Sequence, residues 1–122
     1  MKVLVIEDDS AVRETLGMVL EAFQHQPVLA SNGDEALAQL ETEWPDVILL
    51  DLTLEGVTGE EVYQDIVNRF GRIPPTIVLT AVPQGQNRQR YMPGTWFLAK
   101  PYTIEDLAEV LDEAVASTRG AA

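Results

Sequence analysis

Cysteine is absent from this 122-residue chain, which removes disulfides, thiolate metal sites and thiol nucleophiles. There is a single histidine, His25, and without cysteine it cannot build a structural zinc site. Basic residues are scarce: 8 Lys plus Arg stand against 20 Asp plus Glu, for a net charge of −12. A nucleic-acid backbone needs a basic surface that displaces counterions, so no direct nucleic-acid partner is expected. No apolar run approaches membrane-spanning length, and the N-terminus lacks the basic region and long apolar stretch of a signal peptide. The expectation is a soluble cytoplasmic protein with no membrane partner.

What is present suffices for one core. The hydrophobic fraction is 46%, and the length fits a single domain, read as 1–119 with a frayed tail at 120–122. Apolar residues alternate between two periods. Val3-Leu4-Val5-Ile6, Pro27-Val28-Leu29-Ala30, Val47-Ile48-Leu49-Leu50, Thr76-Ile77-Val78-Leu79 and Phe97-Leu98-Ala99 read as strands, the continuous runs implying cover on both faces. Between them lie helical stripes: Val12, Leu16, Val19, Leu20 and Phe23; Ala36, Leu37, Leu40 and Trp44; Val62, Ile66 and Phe70; and finally Ile104, Leu107, Leu111, Ala114 and Val115. Thr58 with Glu61, and Thr103 with Asp106, have capping-box spacing. Residues 82–96 hold two prolines and two glycines without an apolar stripe, so the fourth helix is expected to be short or irregular. The alternation predicts an α/β fold with a doubly wound parallel sheet.

Such sheets bind ligands beyond the carboxyl ends of their strands. The residues there are Glu7-Asp8, Ala30-Ser31, Asp51, Thr80 and Lys100. An ionised Asp51 ending an apolar strand is costly unless paired or coordinated. Two like charges about 4 Å apart repel by roughly 4 kcal/mol at an effective dielectric near 20, so Glu7, Asp8 and Asp51 together call for a cation. Oxygen ligands alone favour a hard ion, Mg²⁺ first, with Mn²⁺ or Ca²⁺ able to substitute. Held between a cation and the Lys100 ammonium, Asp51 is poised as a nucleophile toward phosphorus. Lys100 and the metal would offset charge on the phosphoryl oxygens, and Thr80 would donate a hydrogen bond to one of them.

Through VLVIEDD (3–9), ILLDLTLEG (48–56), IVLTA (77–81) and FLAKPY (97–102), the chain resembles the response-regulator receiver domains of two-component signalling, of the CheY-like single-domain type. The resemblance implies a (βα)5 flavodoxin-like three-layer sandwich with sheet order 2-1-3-4-5. It makes Asp51 the phosphoacceptor, Asp8 the direct metal ligand, Glu7 a ligand through a metal-bound water, and the backbone carbonyl of Thr53 the third protein ligand. Thr80 becomes the switch hydroxyl, Lys100 the phosphate-binding ammonium, Lys100-Pro101 a cis peptide and Phe97 the aromatic switch. Glu55 stands where the family commonly has Pro, and Phe97 lacks the hydroxyl of a Tyr often found there.

The implied partner is a histidine kinase or histidine phosphotransfer protein, with signalling by conformation and docking, as monomer or weak dimer, and no DNA-binding output domain. This is a signalling phosphoacceptor rather than an enzyme, with self-phosphorylation from small donors and autodephosphorylation expected. Two alternatives compete. A Mg²⁺-dependent phosphohydrolase would commonly carry a second Asp at position 53, where Thr stands; a phosphorylation-independent pseudo-receiver is disfavoured because every acceptor-site position is filled. Asp9, Asp34 and Asp46 read as caps and turn residues, His25 as a loop histidine, and Trp44 and Trp96 as packing residues.

Overall fold

A computed structural model describes residues 1–51, 59–80 and 95–120. The order is β1 (Lys2–Ile6), α1 (Ser10–Ala22), β2 (Gln26–Ala30), α2 (Gly33–Thr42), β3 (Val47–Asp51), α3 (Gly59–Phe70), β4 (Thr76–Thr80), β5 (Thr95–Ala99) and α4 (Ile104–Gly120). The strands form one parallel sheet, as the alternation predicts, in the order β2-β1-β3-β4-β5 that the family resemblance implies. Of the segment 82–96 expected to hold a short or irregular helix, Thr95 and Trp96 begin β5, while 82–94 and the Thr58 cap lie outside the described residues.

Side chains alternate across a pleated strand, and the apolar runs supply both faces. On one side Leu4, Ile6, Ile48, Leu50 and Val78 pack with Ala36 and Leu40 of α2 and Val62 and Ile66 of α3. On the other, Val3, Val5, Val47, Leu49, Ile77 and Leu79 pack with Leu16 and Leu20 of α1 and Leu107 and Leu111 of α4. Each fully buried Leu or Ile contributes about 1.5–3 kcal/mol. That two-sided burial makes β3 and β4 buried along their whole length.

Local signals fix the helix starts. Asp9 caps α1 by accepting from Val12 N at 3.1 Å, and Asn32 caps α2 by accepting from Glu35 N at 2.8 Å. Thr103 and Asp106 form the reciprocal capping box: Asp106 N donates to Thr103 Oγ1 at 3.0 Å, and Thr103 N to Asp106 Oδ2 at 3.1 Å. Asp46 accepts from Lys2 N at 2.7 Å. Below the sheet, Trp44 meets Phe70 edge-on at 5.5 Å and carries the Arg72 guanidinium at 4.3 Å, joining the ends of α2 and α3. Two residues assigned to core stripes lie at the surface instead: Val12 is 39% exposed and Ile104 53%. Both stand in first helical turns, above the layer where α1 and α4 close on the sheet.

Candidate functional site

Register brings the strand ends level. Ile6 pairs with Leu50, so Glu7 emerges beside Asp51; Asp51 pairs with Leu79, and Thr80 with Ala99. Lys100 N donates to Thr80 O at 2.8 Å, which turns its side chain's anchor toward the same rim. The Lys100-Pro101 peptide is cis. Glu7, Asp51 and Thr80 are buried although polar. Lys100 Nζ donates to Asp51 Oδ2 at 2.9 Å with its side chain about a third exposed.

One ammonium faces two buried carboxylates. Burial, and then the hydrogen bond and charge of Asp51, push the Glu7 carboxyl up to about 8, against weaker pulls from Asp9 N and Lys100. Burial works against the Lys100 charge, but the Asp51 hydrogen bond and charge, with Glu7 behind, raise its pKa above the ordinary lysine value. Glu7 Oε1 accepts from Asp9 N at 3.4 Å, whereas Glu7 Oε2 is buried with no hydrogen-bond partner among the described residues. Glu7 and Asp51 thus bury two carboxyl groups against one ammonium, and an all-oxygen donor set suits a hard divalent cation. The residues fit such an ion.

The structure brings Glu7, Asp51, Thr80 and Lys100 to one rim. Asp8 follows Glu7 and is half-buried, yet among the described residues no three Asp, Glu or His side chains gather closely enough to hold a metal. Thr53 and Glu55 lie outside the described residues. Phe97 is half-buried against the α2–α3 side of the core, and Trp96 against the α1–α4 side.

Two contributors escaped the sequence reading. Arg13 Nη1 donates to Glu7 O at 2.8 Å and to Asp8 O at 3.3 Å, holding the acidic loop by its backbone. An arginine one turn after an acidic run, in a chain poor in basic residues, was the available signal. Tyr102 is half-buried two residues past Lys100; burial raises its pKa, Lys100 opposes, and Glu7 and Asp51 add to the rise.

Residues 3–112 match the family model of the response regulator receiver domain. The chain is 34% identical over 109 residues to the phosphate regulon transcriptional regulatory protein PhoB of Escherichia coli strain K12, covering 87% of this chain and 48% of that one. It is 40% identical over 109 residues to the transcriptional regulatory protein ResD of Bacillus subtilis strain 168, covering 87% and 44%. The chain thus spans about half the length of these curated relatives. Among solved structures, the Vibrio cholerae chemotaxis protein CheY4 superposes with a TM-score of 0.84 at 26% identity, covering 93% of this chain and 97% of that one.

Proposed function

The chain belongs to the response-regulator receiver family, and from that premise we propose that Asp51 accepts a phosphoryl group from a histidine kinase or histidine phosphotransfer protein. The observation that carries this reading is the 2.9 Å contact between Lys100 Nζ and Asp51 Oδ2 at a buried rim, beside the buried carboxyl of Glu7. Glu7, Asp8 and Asp51, with the Thr53 carbonyl, would hold Mg²⁺. When bound, Mg²⁺ supplies charge neutralisation of the acids and polarisation of the phosphoryl oxygens.

The chain's own groups do the rest. Asp51, fixed at the end of a strand packed on both faces, presents a carboxylate oxygen whose direction the sheet sets. Lys100 holds that carboxylate as an ion and is placed to take a phosphoryl oxygen in its stead. Thr80 adds a hydroxyl at the neighbouring strand end. Burial of Glu7, Asp51 and Thr80 holds these groups in place around the acyl phosphate that would form on Asp51.

Incubation with Mg²⁺ and acetyl phosphate, followed by intact-mass measurement, tests this. One phosphoryl adduct, lost in Asp51→Asn, is expected. Absence of any adduct with both acetyl phosphate and a cognate kinase overturns the reading.

A further inference from the structure

Arg13 sits where a helix disfavours a cation. It ends the first turn of α1, a turn that holds no acid and whose unpaired N–H groups already carry partial positive charge. Against that field the guanidinium needs an offsetting contact, and local rules are broken in this way chiefly at functional sites. The contact is with backbone. From a half-buried side chain that runs back toward the helix start, Arg13 Nη1 donates to Glu7 O at 2.8 Å and to Asp8 O at 3.3 Å.

Those two carbonyls belong to successive peptide planes, and the Cα of Asp8 is the joint between them. One nitrogen that grips both restrains the two torsions at Asp8, and with them the direction in which its side chain leaves the chain. The rest of the loop is tied as well. Glu7 N donates to Ala30 O at 3.0 Å, Asp9 N to Glu7 Oε1 at 3.4 Å, and Arg13 N to Asp9 O at 2.9 Å. From α2, Glu35 answers the guanidinium charge. Its carboxyl accepts from Ser31 N and Ser31 Oγ at 2.7 Å each; those bonds hold its pKa below the ordinary value, and Arg13 adds to the effect.

Glu7 and Asp8 repel one another until a cation arrives, so a loop free to move would carry them apart. We propose that Arg13 is a positioning residue for the divalent cation: by pinning the peptide planes on either side of Asp8 it leaves side-chain rotation as the step that brings the acids to the ion, and it thereby strengthens Mg²⁺ binding although it is itself a cation. This role presupposes that Glu7, Asp8 and Asp51 are the metal ligands.

The direction of the change on removing Arg13 separates three roles. Acting only as a charge, Arg13 repels Mg²⁺, and its loss would tighten binding. Acting only as a staple of the fold, its loss would lower Tm and leave the affinity of the folded chain unchanged. Acting as a positioning residue, its loss weakens binding by about tenfold to a hundredfold, the usual effect of removing a group that orients a metal ligand.

Mg²⁺ is titrated into the full chain at constant ionic strength and followed by amide chemical shifts, with circular dichroism confirming that each variant is folded. We expect Arg13→Met, which keeps an unbranched stem but neither charge nor donor, to bind Mg²⁺ at least about tenfold more weakly than wild type. Arg13→Lys keeps a charge and donors and should lie between the two. If Arg13→Met does not fold, Arg13→Gln, shorter and neutral, is judged by the same criterion. Unchanged or tighter binding by the folded neutral variant, with wild type binding normally, overturns the role of Arg13 alone. If wild type itself shows no saturable shift with Mg²⁺, the metal site falls and this role with it.

Discussion

Lys100 Nζ meets Asp51 Oδ2 at 2.9 Å by reaching across the end of a strand that lies between their own. β4 separates β3 from β5, so the ammonium passes over Thr80 to find the carboxylate. The contact closes 49 residues of chain and sets acid, hydroxyl and ammonium around one small volume. Asp51 is buried whereas Lys100 keeps a third of its side chain in water. The pair is therefore asymmetric: the carboxylate depends on the ammonium more than the reverse.

Lys100→Ala should destabilise the Mg²⁺-free protein by about 1–3 kcal/mol, because a buried carboxylate loses its cation. At this chain length each kcal/mol corresponds to about 4 °C in Tm. Lys100→Arg keeps the charge and should recover most of that loss. Thermal scans of both variants without divalent cation check the ordering, and equal Tm values for wild type and Lys100→Ala would contradict it.

The Glu7 carboxyl, raised from 4.5 to about 8, sets a pH dependence of defined sign. Between those values the folded protein holds a proton that the unfolded chain has released. Stability of the Mg²⁺-free protein from this group should thus be greatest below about pH 4.5 and fall as pH rises toward about 8. Millimolar Mg²⁺ should raise Tm more at about pH 9 than at about pH 6, where protons compete for the same oxygens. In Glu7→Gln both the pH slope and the extra Mg²⁺ effect should shrink. A Tm that rises with pH across this window would run against the sign.

The capping box at the start of α4 offers a test of stability alone. Thr103→Ala removes the hydroxyl that accepts from Asp106 N at 3.0 Å and should cost about 1 kcal/mol. Denaturant unfolding with an unchanged slope would report this as a pure stability loss. A change above about 2 kcal/mol would mean that Thr103 holds more than the cap.

The sheet was legible because burial on both faces forces continuous apolar strands, and Leu4, Leu50 and Val78 on one side against Val5, Leu49 and Ile77 on the other follow directly. The rim was legible because parallel strands in register end together, bringing Glu7, Asp51, Thr80 and Lys100 level. Val12 and Ile104 misled because helical period fixes a stripe but not how far along the axis the neighbour extends. Arg13 was missed because it acts on backbone carbonyls, which leave no pattern of side-chain types. That no three carboxylates gather among the described residues has a related cause: spacing puts Asp8 next to Glu7, but rotamers decide where its carboxylate points, and like charges spread apart without a cation.

Thr80 separates two contributions that share one side chain. Buried at the end of β4, it has a hydroxyl that would serve the phosphoryl group and a methyl that fills space in the sheet's upper edge. A hydrogen bond to a charged oxygen contributes about 1.5–3 kcal/mol, or about tenfold to a hundredfold in rate. Thr80→Ser keeps the hydroxyl and should phosphorylate from acetyl phosphate near the wild-type rate, with a small loss of Tm. Thr80→Val keeps the shape and should hold Tm closer to wild type, while adduct formation slows by about that tenfold to hundredfold. Time-resolved intact mass, read beside thermal scans of the same samples, distinguishes the two. If Thr80→Val formed adduct as fast as wild type, the hydroxyl would be a strand-end ornament and Lys100 alone would face the phosphoryl oxygens.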